Sequence, residues 1–223
     1  MHIFLYIFAV ASIVHVTAIF LRKEKLRKIS KVFIIPPLLA AYITGAENQL
    51  LFVIPALVLG WIGDVLLLRI RNRVYFQLGL VSFLLGHICY IITFIECLGL
   101  FGSGGAGRLN MAAIVVMVPL AIIGGGAAFR FVKPSKDMIF PVLLYMIVIE
   151  IMLLFSLEVL LSYRSFAGIL IFSGALCFLV SDTILAYFTF RKLKRLGAVL
   201  IMVFYILAQT GIVLGLLRLT PYP

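Results

Sequence analysis

Two aspartates sit where an acidic side chain is hardest to keep. Asp64 lies in the run from Trp61 through Gly63 to Leu68, and Asp182 in the run from Leu179 through Ser181 to Ala186. Each follows a small residue and opens an aliphatic stretch. A charged side chain at membrane depth costs about 2.5–3.5 kcal/mol on insertion scales, so two of them call for a reason. Two carboxylates sharing a low-dielectric pocket cannot both ionise easily. One then keeps its proton and serves as donor, while the other acts as base or charge stabiliser. The plainer alternative is a pair of hydrogen-bonded groups that tie helices together.

Other polar residues fall on the same apolar segments. His87 and Tyr90 are three apart and share a helix face, and histidine can donate, accept or relay a proton. Tyr205 and Gln209 share a face in a later segment, and Glu150 lies in the middle of another. These residues are candidates to line a cavity with the aspartates. A core histidine or a neutral, hydrogen-bonded glutamate would satisfy the sequence as well. Glu96 and Glu158 stand nearer segment ends, where a long side chain snorkels to the surface. His2 and His15 carry no pattern. No two histidines are spaced for a metal, no cofactor motif is present, and no G-x-S-x-G elbow appears, which argues against a metalloprotease or a serine lipase. Cys89, Cys97 and Cys177 all fall inside apolar runs and read as buried free thiols.

The elements that must position these groups follow from composition. The chain has 223 residues, 65% of them hydrophobic and 12% charged. Soluble domains sit near half apolar, so this is an integral membrane protein. Eight apolar stretches run at about 3–21, 32–46, 49–68, 74–99, 109–129, 138–161, 165–188 and 196–218, each near the ~20 residues that cross a bilayer, the second somewhat short. In lipid the backbone must satisfy itself, so the fold class is all-α: a single polytopic domain, 1–223, of eight transmembrane helices.

The net charge of +11 belongs to headgroups and loops rather than to nucleic acid. Sixteen of the nineteen Lys and Arg lie in alternate loops, six of them between Arg22 and Lys31. That asymmetry places both termini outside the cytoplasm. No basic residue precedes the first apolar run, as suits an uncleaved first span. The compact chain fits a bacterial inner membrane.

The Gly-rich link 101–107 stands at the midpoint and prompts a search for a repeat. Lys31, Ile34, Pro36, Leu38 and Leu39 match Lys136, Ile139, Pro141, Leu143 and Leu144. Asp64, Arg73, Leu78 and Gly79 match Asp182, Arg191, Leu196 and Gly197 without a gap. The pattern points to a parallel 4+4 repeat, about 1–100 and 108–223, which would set the two aspartates at one depth and align His87 with Tyr205.

Trp61, Gly63 and Asp64, then Gly86, His87 and Tyr90, then Ser181 and Asp182, resemble in order and spacing the YhhN-like membrane proteins, a family that includes lysoplasmalogenases. The resemblance covers nearly the whole chain. The family joins lysine to proline at the start of span two; here Lys31 and Pro36 are separated. The resemblance implies hydrolysis of the vinyl-ether bond of a lysophospholipid to a fatty aldehyde and a glycerophospho-headgroup, with Asp64 and Asp182 as the acidic motif residues. Such a bond is cleaved by protonation at carbon followed by water attack on an oxocarbenium-like cation, a task suited to paired carboxylates. In that reading His87, Tyr90, Tyr205 and Gln209 orient water or substrate. Lys31, Arg69 or Arg73 holds the headgroup phosphate.

Two other classes compete. A proton-coupled transporter would use the same acids and the same repeat, with Pro36, Pro37, Pro55, Pro119 and Pro141 available to kink spans. A lipid-binding scaffold would have no need of the carboxylates.

Overall fold

Long apolar runs with few charges fold as the sequence requires. The computed structural model describes residues 1–69, 72–100, 109–189 and 195–219. Among them lie nine α-helices: α1 (His2–Phe20), α2 (Glu24–Val32), α3 (Ile35–Gly45), α4 (Val53–Leu66), α5 (Arg73–Cys97), α6 (Met111–Val132), α7 (Ile139–Tyr163), α8 (Phe166–Thr189) and α9 (Arg195–Arg218). Single 3-10 turns follow α4 and precede α7. No strand occurs among the described residues.

All eight apolar stretches hold a helix. Five of the helices, α1, α5, α7, α8 and α9, are long and apolar enough to cross a membrane. The second and third stretches yield only 11 and 14 residues of α-helix, in α3 and α4. At 1.5 Å per residue these reach about 16 and 21 Å, short of a ~30 Å hydrocarbon core. The Gly-rich link 101–107, together with Arg71, Arg108, Arg191, Lys192 and Lys194, lies outside the described residues. The described chain divides into two compact units, Met1–Thr93 and Phe94–Pro223.

In the first unit, the basic segment that reads as a loop in the sequence is instead the helix α2. The chain reverses after α1 through a Schellman turn: Lys23 N–H donates to Ala18 carbonyl at 2.9 Å and Arg22 N–H to Ile19 carbonyl at 3.2 Å. Arg22 adopts φ 58°, where glycine is usual. Lys133 and Arg164, with φ 48° and 43°, stand likewise just past α6 and α7. Cations there complement the negative end of each helix dipole. α2 then runs back along α1. Ser30 Oγ donates to Leu26 carbonyl at 2.7 Å and accepts from His15 Nδ1 at 2.9 Å, so the histidine without a sequence pattern proves to be the buried tie between α1 and α2.

Between α2 and α3 the helix breaks, and proline is the cause. Pro36 has no N–H, so the Val32 carbonyl loses its normal i+4 donor. Trp61 of α4 takes its place, its Nε1–H donating to Val32 oxygen at 2.8 Å. α4 then packs on α5. A Cβ added at Gly63 would stand 2.6 Å from the Phe83 ring, and one at Gly86 would stand 3.3 Å from Ala56 oxygen. Ser82 Oγ donates to Leu59 carbonyl across the same seam at 2.6 Å.

In the second unit α8 and α9 approach backbone to backbone. A Cβ at Gly174 would meet Ala208 oxygen at 2.8 Å. At Gly211 it would meet Leu170 oxygen, and at Gly215 Ala167 oxygen, both also at 2.8 Å. Such small-residue seams replace the hydrophobic drive that lipid does not supply. Glu158 does not snorkel. It is 1% exposed, and its Oε2 accepts the Asn110 N–H at 2.9 Å just ahead of α6. A carboxylate at that position suits the positive end of the helix.

Replacing Trp61 by Phe strands the Val32 carbonyl. The expected loss is about 1–3 kcal/mol of stability in denaturant unfolding of the detergent-solubilised protein. Adding Pro36→Ala, which restores a backbone donor, should recover part of that loss; a Trp61→Phe variant as stable as the wild type would contradict this account.

Candidate functional site

Each aspartate has a partner within its own unit. Asp64 stands one turn beyond Trp61 on α4, so both side chains face the end of α2. There Lys31, in the last turn of α2, reaches Asp64 Oδ1 with Nζ at 3.2 Å. The pair is well buried, with side-chain exposures of 16% for Lys31 and 3% for Asp64. An ammonium at this distance offsets part of the cost of burying a carboxylate. The helix break thus sets the ion pair: the Trp61 anchor on Val32 fixes the end of α2, and Lys31 precedes Val32 by one residue.

Asp182, half-buried on α8, is held differently. Tyr145 of α7, itself buried, donates its hydroxyl proton to Asp182 Oδ2 at 2.5 Å. Tyr145 belongs to no motif that the sequence reading singled out. Its signal was only a tyrosine one turn past Pro141, in a helix otherwise full of large apolar residues. Ser181, next to Asp182, donates from Oγ to Ile201 carbonyl at 3.0 Å and locks α8 to α9 at the aspartate's level.

The structure also places the remaining candidates. His87 is 2% exposed, and its Nδ1 lies 2.7 Å from the Phe83 carbonyl. A carbonyl only accepts, so Nδ1 carries the proton. Tyr90 is buried three residues further along α5. Tyr205 and Gln209 are brought together as expected, with Gln209 Nε2 at 3.5 Å from Tyr205 Oη, both buried and Tyr205 edge-on to Phe178. Glu150 is half-buried on α7 against α6, where Gly125 makes room: a Cβ there would come within 2.6 Å of its Oε1. Of the basic candidates, Lys31 is the one drawn to an aspartate by a direct contact. Arg73 is exposed at the first residue of α5. Arg69 turns to Tyr75, donating to its hydroxyl at 2.7 Å and stacking 4.9 Å from its ring centre.

Among the described residues no three His, Cys, Asp or Glu side chains gather as a metal site. Asp64 has an ammonium as a partner and Asp182 a phenol. An ammonium and a phenol can each hold a carboxylate in place, and a carboxylate so held can stabilise a developing cation.

If the Lys31–Asp64 contact holds both groups charged, Lys31→Met leaves a buried carboxylate without its cation and should destabilise by roughly 3 kcal/mol. Combining it with Asp64→Asn should restore most of that. The four unfolding curves of the double-mutant cycle test this; strict additivity would mean that the two groups do not interact.

The model of the YhhN family matches residues 26–216. No curated protein and no solved structure matches the chain.

Proposed function

Because the chain belongs to the YhhN family, matching it over residues 26–216, we propose that it is a membrane-embedded hydrolase of lysoplasmalogen-type lysophospholipids, with Asp64 and Asp182 as its acid–base pair. The observation that carries this reading is the unlike holding of the two carboxylates. Asp64 has an ammonium at 3.2 Å, and Asp182 has a phenol hydroxyl at 2.5 Å. Asp64, paired with Lys31, is assigned the role of base or charge stabiliser. We assign the role of acid to Asp182, whose Oδ2 accepts from Tyr145.

The chemistry follows. Asp182 delivers its proton to the β-carbon of the vinyl ether, and the C=C pair forms the new C–H bond. The cation left on the ether carbon is stabilised by the Asp64 carboxylate. Water adds to that carbon and gives its proton to a carboxylate. The hemiacetal collapses: its hydroxyl proton passes to the glycerol oxygen as the C–O bond to glycerol breaks, which releases a fatty aldehyde and the glycerophospho-headgroup. His87, Tyr90, Tyr205, Gln209 and Glu150 are proposed to orient water and the alkenyl chain, and Arg73 to meet the headgroup phosphate. Lys31 is assigned to Asp64 rather than to the phosphate.

The parallel repeat is part of the proposal. It is supported by a shared register: Gly63 meets Phe83 across α4 and α5, and the aligned Ser181 meets Ile201 across α8 and α9. The eight-span topology with both termini outside and the bacterial inner-membrane location stand with it as proposals.

One feature favours a second reading. Broken helices with backbone groups satisfied by a neighbour are the usual binding elements of carriers, and the α2–α3 break is one. A proton-coupled carrier is therefore the alternative.

Purified protein in detergent should release aldehyde from lysoplasmenylethanolamine, and folded Asp64→Asn and Asp182→Asn variants should each lose about 10²–10⁴-fold in rate. A folded wild type that releases none, but moves protons with a solute in sealed vesicles, would replace the hydrolase by the carrier.

A further inference from the structure

The corner between α1 and α2 joins two features that the proposed reaction does not use. The first is an apolar groove between the helices, lined by Tyr6, Ile7 and Val10 of α1 and by Leu26, Ile29 and Phe33 on the α2 side. All six are exposed, Tyr6 to 70% and Phe33 to 59%, so the groove opens sideways. Its one polar lining residue, Ser30, is turned inward to His15 and Leu26. The second feature is charge. Of the six basic residues between Arg22 and Lys31, Arg27 pairs with Glu24 at 2.8 Å and Lys31 with Asp64. Arg22, Lys23, Lys25 and Lys28 are exposed and make no ion pair among the described residues.

Arg22 adds a third observation. It occupies the left-handed position of the turn, where glycine would be unstrained. The turn itself therefore does not select arginine. What arginine provides there is a guanidinium at the end of a membrane helix, beside the mouth of the groove.

We propose that this corner binds an anionic two-chain phospholipid of the bilayer, one acyl chain lying in the α1–α2 groove and the phosphate held by Arg22, Lys23 and Lys25. A zwitterionic lipid fits less well, because the corner's one acid, Glu24, is already engaged by Arg27. A second copy of the chain also fits poorly. In a two-fold dimer within one membrane both corners lie at the same level, and four unpaired cations would face four more. The site uses none of the residues assigned to the reaction and does not depend on the hydrolysis reading.

The test is native mass spectrometry of the full chain released from vesicles of equimolar phosphatidylglycerol and phosphatidylcholine. Wild type should retain phosphatidylglycerol at least tenfold over phosphatidylcholine, since each cation near an anionic surface contributes about fivefold. Arg22→Gly suits the backbone and should melt no lower than wild type, yet lose about fivefold of the preference. Arg22→Gly with Lys23→Gln and Lys25→Gln should abolish it. Val10→Trp, which fills the groove from an exposed position, should reduce retention of both lipids. Equal retention of the two lipids by the wild type, or an unchanged preference in the triple variant, overturns the proposal. Displacement of phosphatidylglycerol by lysophosphatidylethanolamine at equal concentration also overturns it, because the corner would then be part of a substrate site.

Discussion

A single carbonyl organises the first half of this protein. Pro36 removes the donor that Val32 oxygen would have had within the helix. The indole N–H of Trp61 takes its place at 2.8 Å, and this fixes where α4 meets the broken helix. The ion pair of Asp64 lies beside that contact. One turn along α4 the carboxylate faces the same helix end, and one residue before Val32 the Lys31 ammonium comes into reach. The tryptophan, the proline and the ion pair are one device for keeping a charge in a dry place.

The second aspartate is kept by other means. Asp182 is less deeply buried, and a phenol supplies its hydrogen bond. Its helix is fixed by the close seam with α9, where Gly174, Gly211 and Gly215 leave no room for a Cβ, and by the Ser181 hydroxyl bond to Ile201. Two carboxylates of similar local sequence are thereby given unlike partners, an ammonium and a phenol.

Several polar groups elsewhere also find partners within the chain. Glu158 receives the Asn110 N–H at the start of α6, Tyr163 donates to the Cys97 carbonyl at 2.6 Å, and Ser30 both donates and accepts. Basic residues close the ends of α1, α6 and α7 in left-handed turns, where helix dipole and headgroup favour the same sign of charge.

The sequence by itself determined the class and marked the candidate positions. Composition and run length gave an all-helical membrane protein, because a bilayer admits few other ways to satisfy a backbone. The cost of an intramembrane carboxylate marked Asp64 and Asp182, and the helical period joined Tyr205 to Gln209. The partners of the aspartates were decided only by the tertiary structure. Lys31 is 33 residues from Asp64 and Tyr145 is 37 from Asp182, and no local period links residues so far apart. The helix in the basic segment 24–32 was hidden for a related reason: charge counts read as a loop, while its apolar stripe of Leu26, Ile29 and Phe33 has meaning only against α1. His15 and Trp61 show the same limit. Their types were visible in the chain, but the groups they satisfy, Ser30 and the Val32 carbonyl, became their partners only when separate helices met.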